Sequence, residues 1–210
     1  MHRFAAALVA VGAWAGLLIQ LAATYSQTGT VLGSLWIVLR FFTIITNLLV
    51  AVTMTRAALG RRVSVVGLAG LTLAILFVGI IYVVLLHGLV DLSGLALVAD
   101  ILLHYVVPVL MGIYWLAFAP KIGLSWRDPL LWCAYPVAYL FYVAVRGSLD
   151  GVYPYPFVDV GALGYGRMLL NALMLLLAYL AGGVGLVGLG RALALRRGAR
   201  RPLGQQSPSG

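Results

Sequence analysis

The sequence predicts an all-α polytopic membrane protein, a bundle of six transmembrane helices with both termini inside the cell. Three observations carry that reading. Of 210 residues, 63% are hydrophobic and only 9% charged, and the mean hydropathy is +1.07, far outside the range of a soluble domain. Six apolar runs, each of roughly the 20 residues that cross a bilayer core of about 30 Å, follow one another across short polar breaks. The basic residues fall mostly on one side of those runs.

The first run, about 4–24, follows a basic start and looks at first like a secretory signal. It is longer than the usual apolar stretch of about 7–15 residues, and no small-x-small cleavage site follows it, so it reads as helix one. The second, about 37–55, carries Arg40, Thr43, Thr46 and Asn47 in an otherwise apolar segment. The third, about 64–86, is almost wholly apolar. The fourth, about 97–118, contains Asp100, His104 and Pro108. Pro108 cannot donate to the His104 carbonyl, which predicts a kink. The fifth, about 129–146, holds the single cysteine, Cys133, which leaves no intramolecular disulfide and no cysteine metal cluster. The sixth, about 168–190, presents Gly182, Gly183, Gly185, Gly188 and Gly190 as a small face for close helix packing. Residues 1–190 therefore form one integral membrane domain, and 191–210, basic and without apolar periodicity towards its end, reads as a disordered cytoplasmic tail.

Orientation follows from charge. With both termini inside, eleven of the fourteen Lys and Arg residues lie on the cytoplasmic side: Arg3, Arg56, Arg61, Arg62, Lys121, Arg127, Arg191, Arg196, Arg197, Arg200 and Arg201. Arg40, Arg146 and Arg167 abut predicted helix ends, where a long side chain reaches the interface. The net charge of +9 thus needs no nucleic-acid partner; a basic rim facing anionic lipid headgroups accounts for it. The expected location is the plasma or inner membrane. The chain has no phosphate loop, no HExxH, no GxSxG and no internal repeat.

Chemistry is then sought among the few polar groups at membrane depth, where a charge costs roughly 2.5–3.5 kcal/mol on insertion scales. Arg40, Thr43 and Asn47 share one face at i, i+3, i+7, with Thr46 beside them. Asp100 and His104 stack at i, i+4. Both helices run from outside to inside, so Thr43 and His104 each lie about one to two turns down, on the order of 5–8 Å. A carboxylate one turn from an imidazole can hold its tautomer and support its cation, as in nucleophile–base–acid sets. The bland alternative is that the threonine bonds its own backbone and that Asn47 and the His/Asp pair fasten helices. No second imidazole stands at the depth of His104, so no metal or other cofactor is expected. The last outer loop, RGSLDGVYPYPFVDVGALGYGR, reads as an aromatic interfacial cap or as a lid that touches substrate through Tyr155 and Phe157.

Three segments, FFTIITNLLV, LLHYVVPVL and GVYPYPFVDVGALG, resemble in order and spacing those of the androgen-induced, FAR-type membrane proteins. The similarity runs from Arg40 to about Leu180, and its sharpest element is Tyr155–Pro156–Phe157 with Asp159 following. That resemblance implies a multi-pass threonine hydrolase acting on fatty acid esters of hydroxy fatty acids, in a bacterial six-helix branch. It puts the nucleophile on Thr43 and the essential histidine on His104. Asp100 comes from the i, i+4 spacing alone. The expected mechanism has Thr43 attack an ester presented by membrane lipid, with His104 as base and Asp100 orienting it. Arg40 would receive a carboxylate, and Thr46 or Asn47 would donate to the oxyanion. The competing expectation is a non-enzymatic membrane protein, a small transporter or an envelope-assembly factor, whose polar residues line a path or fasten helices.

Overall fold

In the computed structural model, residues 1–199 are described, and the regular structure among them is entirely helical. α1 (His2–Thr28) ends at Gly29, whose φ of 68° is the left-handed conformation that glycine tolerates. α2 (Val31–Val38) opens on Thr30, whose hydroxyl accepts from the Gly33 amide, and α3 (Phe42–Ala58) follows after a break of three residues. α4 (Val65–Ile81) is capped by Ser64 and continues into a π-turn, Tyr82–Leu86. α5 (Gly94–Ile101) passes through a second π-turn, Leu102–Val106, into α6 (Val107–Ala117). A short α7 (Asp128–Trp132) leads to α8 (Ala134–Asp150). A single 3₁₀ turn, Pro156–Val158, precedes α9 (Val160–Ala199).

Among the described residues, five stretches are long and apolar enough to cross a membrane: His2–Thr28, Val65–Leu86, Gly94–Ala117, Asp128–Asp150 and Val160–Arg196. The second expected span, 37–55, is instead two helices, α2 and α3, bent by 101° at residues 39–41. Side chains of α8 account for the bend. The Arg146 guanidinium donates to the Trp36 carbonyl, the Tyr142 hydroxyl to the Leu39 carbonyl at 3.1 Å, and the Tyr139 hydroxyl to the Arg40 carbonyl at 2.8 Å. These donors stand at i, i+3, i+7 on one face of α8, and they meet carbonyls that a continued helix would have satisfied itself. The Arg146 guanidinium also lies 3.9 Å from the centre of the Trp36 ring.

The last helix also differs from expectation. It begins at Val160 rather than 168 and runs to Ala199, with Gly164 non-helical inside it (φ 72°). Residues 191–199 are therefore helical, and the part of the expected tail from 200 to 210 lies outside the described residues. In the fourth run no sharp kink divides Gly94–Ala117; the π-turn before Pro108 takes its place. A wide turn removes the clash between the proline ring and the carbonyl four residues back. The main apolar core joins α1, α3, α4 and α6 through residues such as Val9, Val50, Ile75 and Met111. A smaller cluster, Val143, Val158 and Met168, holds the 156–158 turn against α8 and α9.

Candidate active site

The bend between α2 and α3 puts Thr43 in the first turn of α3, whose N-terminal amides have no partners within the helix. α5 and its π-turn bring His104 alongside. Thr43 Oγ1 lies 3.2 Å from His104 Nε2, and His104 Nδ1 lies 2.9 Å from Asp100 Oδ1. The same Nδ1 is 3.2 Å from the Asp100 backbone carbonyl, so the imidazole is held from below at two points. The three residues form a continuous chain from hydroxyl to ring to carboxylate, and all are buried or nearly so.

Tyr82 completes the set. Its hydroxyl donates to Asp100 Oδ2 at 2.6 Å, and its ring stacks on the His104 imidazole, centroids 4.0 Å apart and planes 20° from parallel. The carboxylate thus has one oxygen on the imidazole and the other on a phenol, which fixes its plane. Sequence reasoning passed over Tyr82. The available signal was its depth, one turn from the end of the third apolar run, on the level of His104.

The π-turns explain the local geometry. In the turn Leu102–Val106, the Val107 amide bonds the Leu102 carbonyl, which leaves the Leu103 carbonyl free. Asn47 Nδ2 donates to that carbonyl at 3.3 Å and to the Thr43 carbonyl at 2.9 Å. The His104 carbonyl packs over Gly79, where a Cβ would meet it at 3.0 Å. α4 and the α5–α6 span therefore approach closely at the level of the site.

The other expected site residues fall in different places. Asn47 is fully buried and committed to backbone carbonyls. Thr46, also fully buried, shares a 2.8 Å hydrogen bond with the Tyr135 hydroxyl. Neither faces an ester at Thr43, which corrects the expected oxyanion donors. Arg40 is buried and paired with Asp150, so it is no open receptor for a carboxylate. Tyr155 does reach the site: the amides of Phe42 and Thr43 and the Thr43 side chain meet its hydroxyl, and burial pushes its phenol upward from the usual range. Phe157 stacks on Tyr155 at 5.1 Å, and its carbonyl accepts from Asn171 Nδ2 at 3.0 Å, which ties the loop to α9.

Two cavities meet at Thr43 and Tyr155, both of which line each of them. One, about 300 Å³, lies among α4, α8 and α9; the other, about 520 Å³, lies among α1, α2, α5 and the 154–156 loop and includes His104 and Asp100. Among the described residues no three His, Cys, Asp or Glu side chains converge as a metal site would require. No family model, no curated protein and no solved structure matches this chain.

Proposed function

We propose that the protein is an intramembrane ester hydrolase with Thr43 as nucleophile and His104 as general base. The observation that carries this reading is the 3.2 Å contact between Thr43 Oγ1 and His104 Nε2, continued at 2.9 Å to Asp100. A threonine hydroxyl is a poor nucleophile on its own and needs such a base within reach. Thr43 Oγ attacks the ester carbonyl while its proton passes to His104 Nε2. The charge that develops on the carbonyl oxygen meets the Tyr155 hydroxyl, a neutral phenol that donates while its own oxygen faces the Phe42 and Thr43 amides at the start of α3. On collapse, His104 returns the proton to the departing alcohol oxygen, leaving an acyl-threonine. A water that gives a proton to His104 then releases the acid and restores the hydroxyl.

Asp100 accepts from Nδ1, so that the neutral ring presents a bare Nε2 to Thr43. Around this site we read six spans, with the bent pair α2–α3 as the second, both termini in the cytoplasm and the basic rim against anionic headgroups. The site then opens to the outer leaflet of the cell membrane, and its substrates are lipid esters of the class that the family resemblance implies, fatty acid esters of hydroxy fatty acids.

The test compares the unaltered protein with Thr43→Ala and His104→Ala in detergent, against a panel of lipid esters and an alkyl fluorophosphonate probe. Turnover and covalent labelling should fall by at least 1,000-fold in both variants, about 4 kcal/mol of transition-state stabilisation. Equal turnover and labelling in all three proteins would instead support a non-enzymatic role.

A further inference from the structure

We propose that the two cavities divide the substrate in a fixed sense, the acyl chain entering the α4–α8–α9 cavity and the alcohol portion the α1–α2 cavity. The inference rests on the reading of Thr43 as nucleophile and His104 as its base.

The direction follows from proton bookkeeping. The proton that frees the alcohol must come from His104, and His104 lines the α1–α2 cavity and not the other. The departing oxygen therefore lies on the α1–α2 side of Thr43, and the acyl substituent of the attacked carbon extends the opposite way, into the α4–α8–α9 cavity. Tyr155, which borders both cavities, sits at the junction where the carbonyl carbon must lie.

The linings match that assignment. Beyond Thr43, Tyr139 and Tyr155 at its inner end, the α4–α8–α9 cavity is walled by hydrocarbon and aromatic side chains such as Phe77, Leu140, Ala172 and Leu173. No charged or amide side chain lines it, so an acyl chain with a polar tip would leave that tip without a partner. The α1–α2 cavity is larger and contains Gln20 and Thr24, whose side chains are paired with each other at 3.2 Å on α1. A hydroxyl or carboxyl on the alcohol portion finds donors and acceptors there. A site built to hydrogen-bond one portion rejects the analogue that lacks the group, whereas an apolar wall discriminates by length and bulk.

The experiment uses a pair of esters that are reversed in sense but similar in size: the decanoyl monoester of glycerol, and the decyl ester of glyceric acid. The unaltered protein should hydrolyse the first with a kcat/KM at least ten-fold above the second. Ala172→Phe, which fills the acyl cavity, should lower kcat/KM for the decanoyl ester at least ten-fold through KM, while the acetyl ester of the same alcohol changes by less than two-fold. Gln20→Leu should reduce the preference for glycerol over butanol esters and leave the acyl-length profile unchanged. Equal hydrolysis of the reversed pair, a measurement that needs no variant to fold, overturns the assignment while Thr43 labelling by fluorophosphonate stands. An equal loss on acetyl and decanoyl esters in Ala172→Phe, with its melting temperature unchanged, overturns it too. Absence of both turnover and Thr43 labelling in the unaltered protein overturns the parent reading and this inference with it.

Discussion

Asn47 Nδ2 donates to the Leu103 carbonyl at 3.3 Å, and that carbonyl is the one that the π-turn ahead of Pro108 releases from its helical donor. One amide thus joins the helix bearing Thr43 to the turn bearing His104, and it does so in a fully buried place. Asn47→Ala should lower stability by about 1 kcal/mol, the usual size of an interhelical hydrogen bond in a membrane protein. It should also lower ester turnover more than ten-fold, because the two helices lose their common register. Thermal unfolding in detergent and single-turnover kinetics measure the two effects. Unchanged turnover would show that the register is held elsewhere.

The Asp100 carboxylate is positioned from two sides, so its two supports should separate in kinetics. Asp100→Asn should cut kcat by roughly 100- to 10,000-fold with little change in KM, since the imidazole loses its tautomer and its countercharge. Tyr82→Phe retains the stacked ring and removes only the 2.6 Å hydrogen bond, so a loss of about ten-fold is expected. Tyr82→Ala should cost more than Tyr82→Phe. A KM effect without a kcat effect in either Tyr82 variant would move Tyr82 from positioning to substrate binding.

The clamp from α8 onto α2 makes a stability prediction. Arg146 is buried, donates to the Trp36 carbonyl and to the Tyr142 hydroxyl at 2.7 Å, and lies beside the Arg40–Asp150 pair. Arg146→Met should destabilise by about 2–3 kcal/mol, because it leaves the Trp36 carbonyl without its side-chain donor and removes a cation from beside Asp150, whose carboxylate keeps Arg40 and the Val152 amide. Tyr142→Phe and Tyr139→Phe should each cost about 1 kcal/mol. Chemical unfolding in detergent ranks the three, and a ranking with Arg146→Met mildest would refute the clamp.

Glycine substitutions probe the approach of α4 to the site. At Gly79 a Cβ would meet the His104 carbonyl at 3.0 Å and Pro108 at 3.2 Å, so Gly79→Val should displace His104 and remove most turnover. At Gly166 a Cβ meets nothing within 4 Å, and Gly166→Ala should match or slightly exceed the unaltered stability through helix propensity, by up to about 1 kcal/mol. Retained turnover in Gly79→Val would mean that the contact is slack.

Much of this arrangement was legible in the residues. Apolar run lengths located the membrane-length helices, and the expected positions of Thr43 and His104 along their runs put those two side chains at one level; the two side chains are in contact. The break at Leu39–Phe41 was not legible, because Leu, Arg and Phe carry no turn signal; its cause is the row of donors on α8, about a hundred residues away. For the same reason the oxyanion donors were placed on Thr46 and Asn47. With a continuous helix the amides of Phe42 and Thr43 would be used up inside it, whereas with a break they turn to the Tyr155 hydroxyl. Gln20 and Thr24 escaped notice because a Gln–Thr pair on a first helix looks like ordinary intrahelical satisfaction.

The right-angled turn ahead of α3 has a consequence for the bilayer itself. α3 has 17 residues and rises only about 25 Å, several ångströms short of a hydrocarbon core of about 30 Å. A helix that short creates hydrophobic mismatch, which the membrane relieves by thinning around it or by drawing headgroups down. On the proposed reading, the α2 segment, lying across the end of α3, would sit at the level of the glycerol and ester groups. An ester linkage at its normal depth in the leaflet would then meet the first turn of α3 without being lifted out of the lipid, and the same dimple would bring the membrane's polar boundary, and water for deacylation, to Thr43.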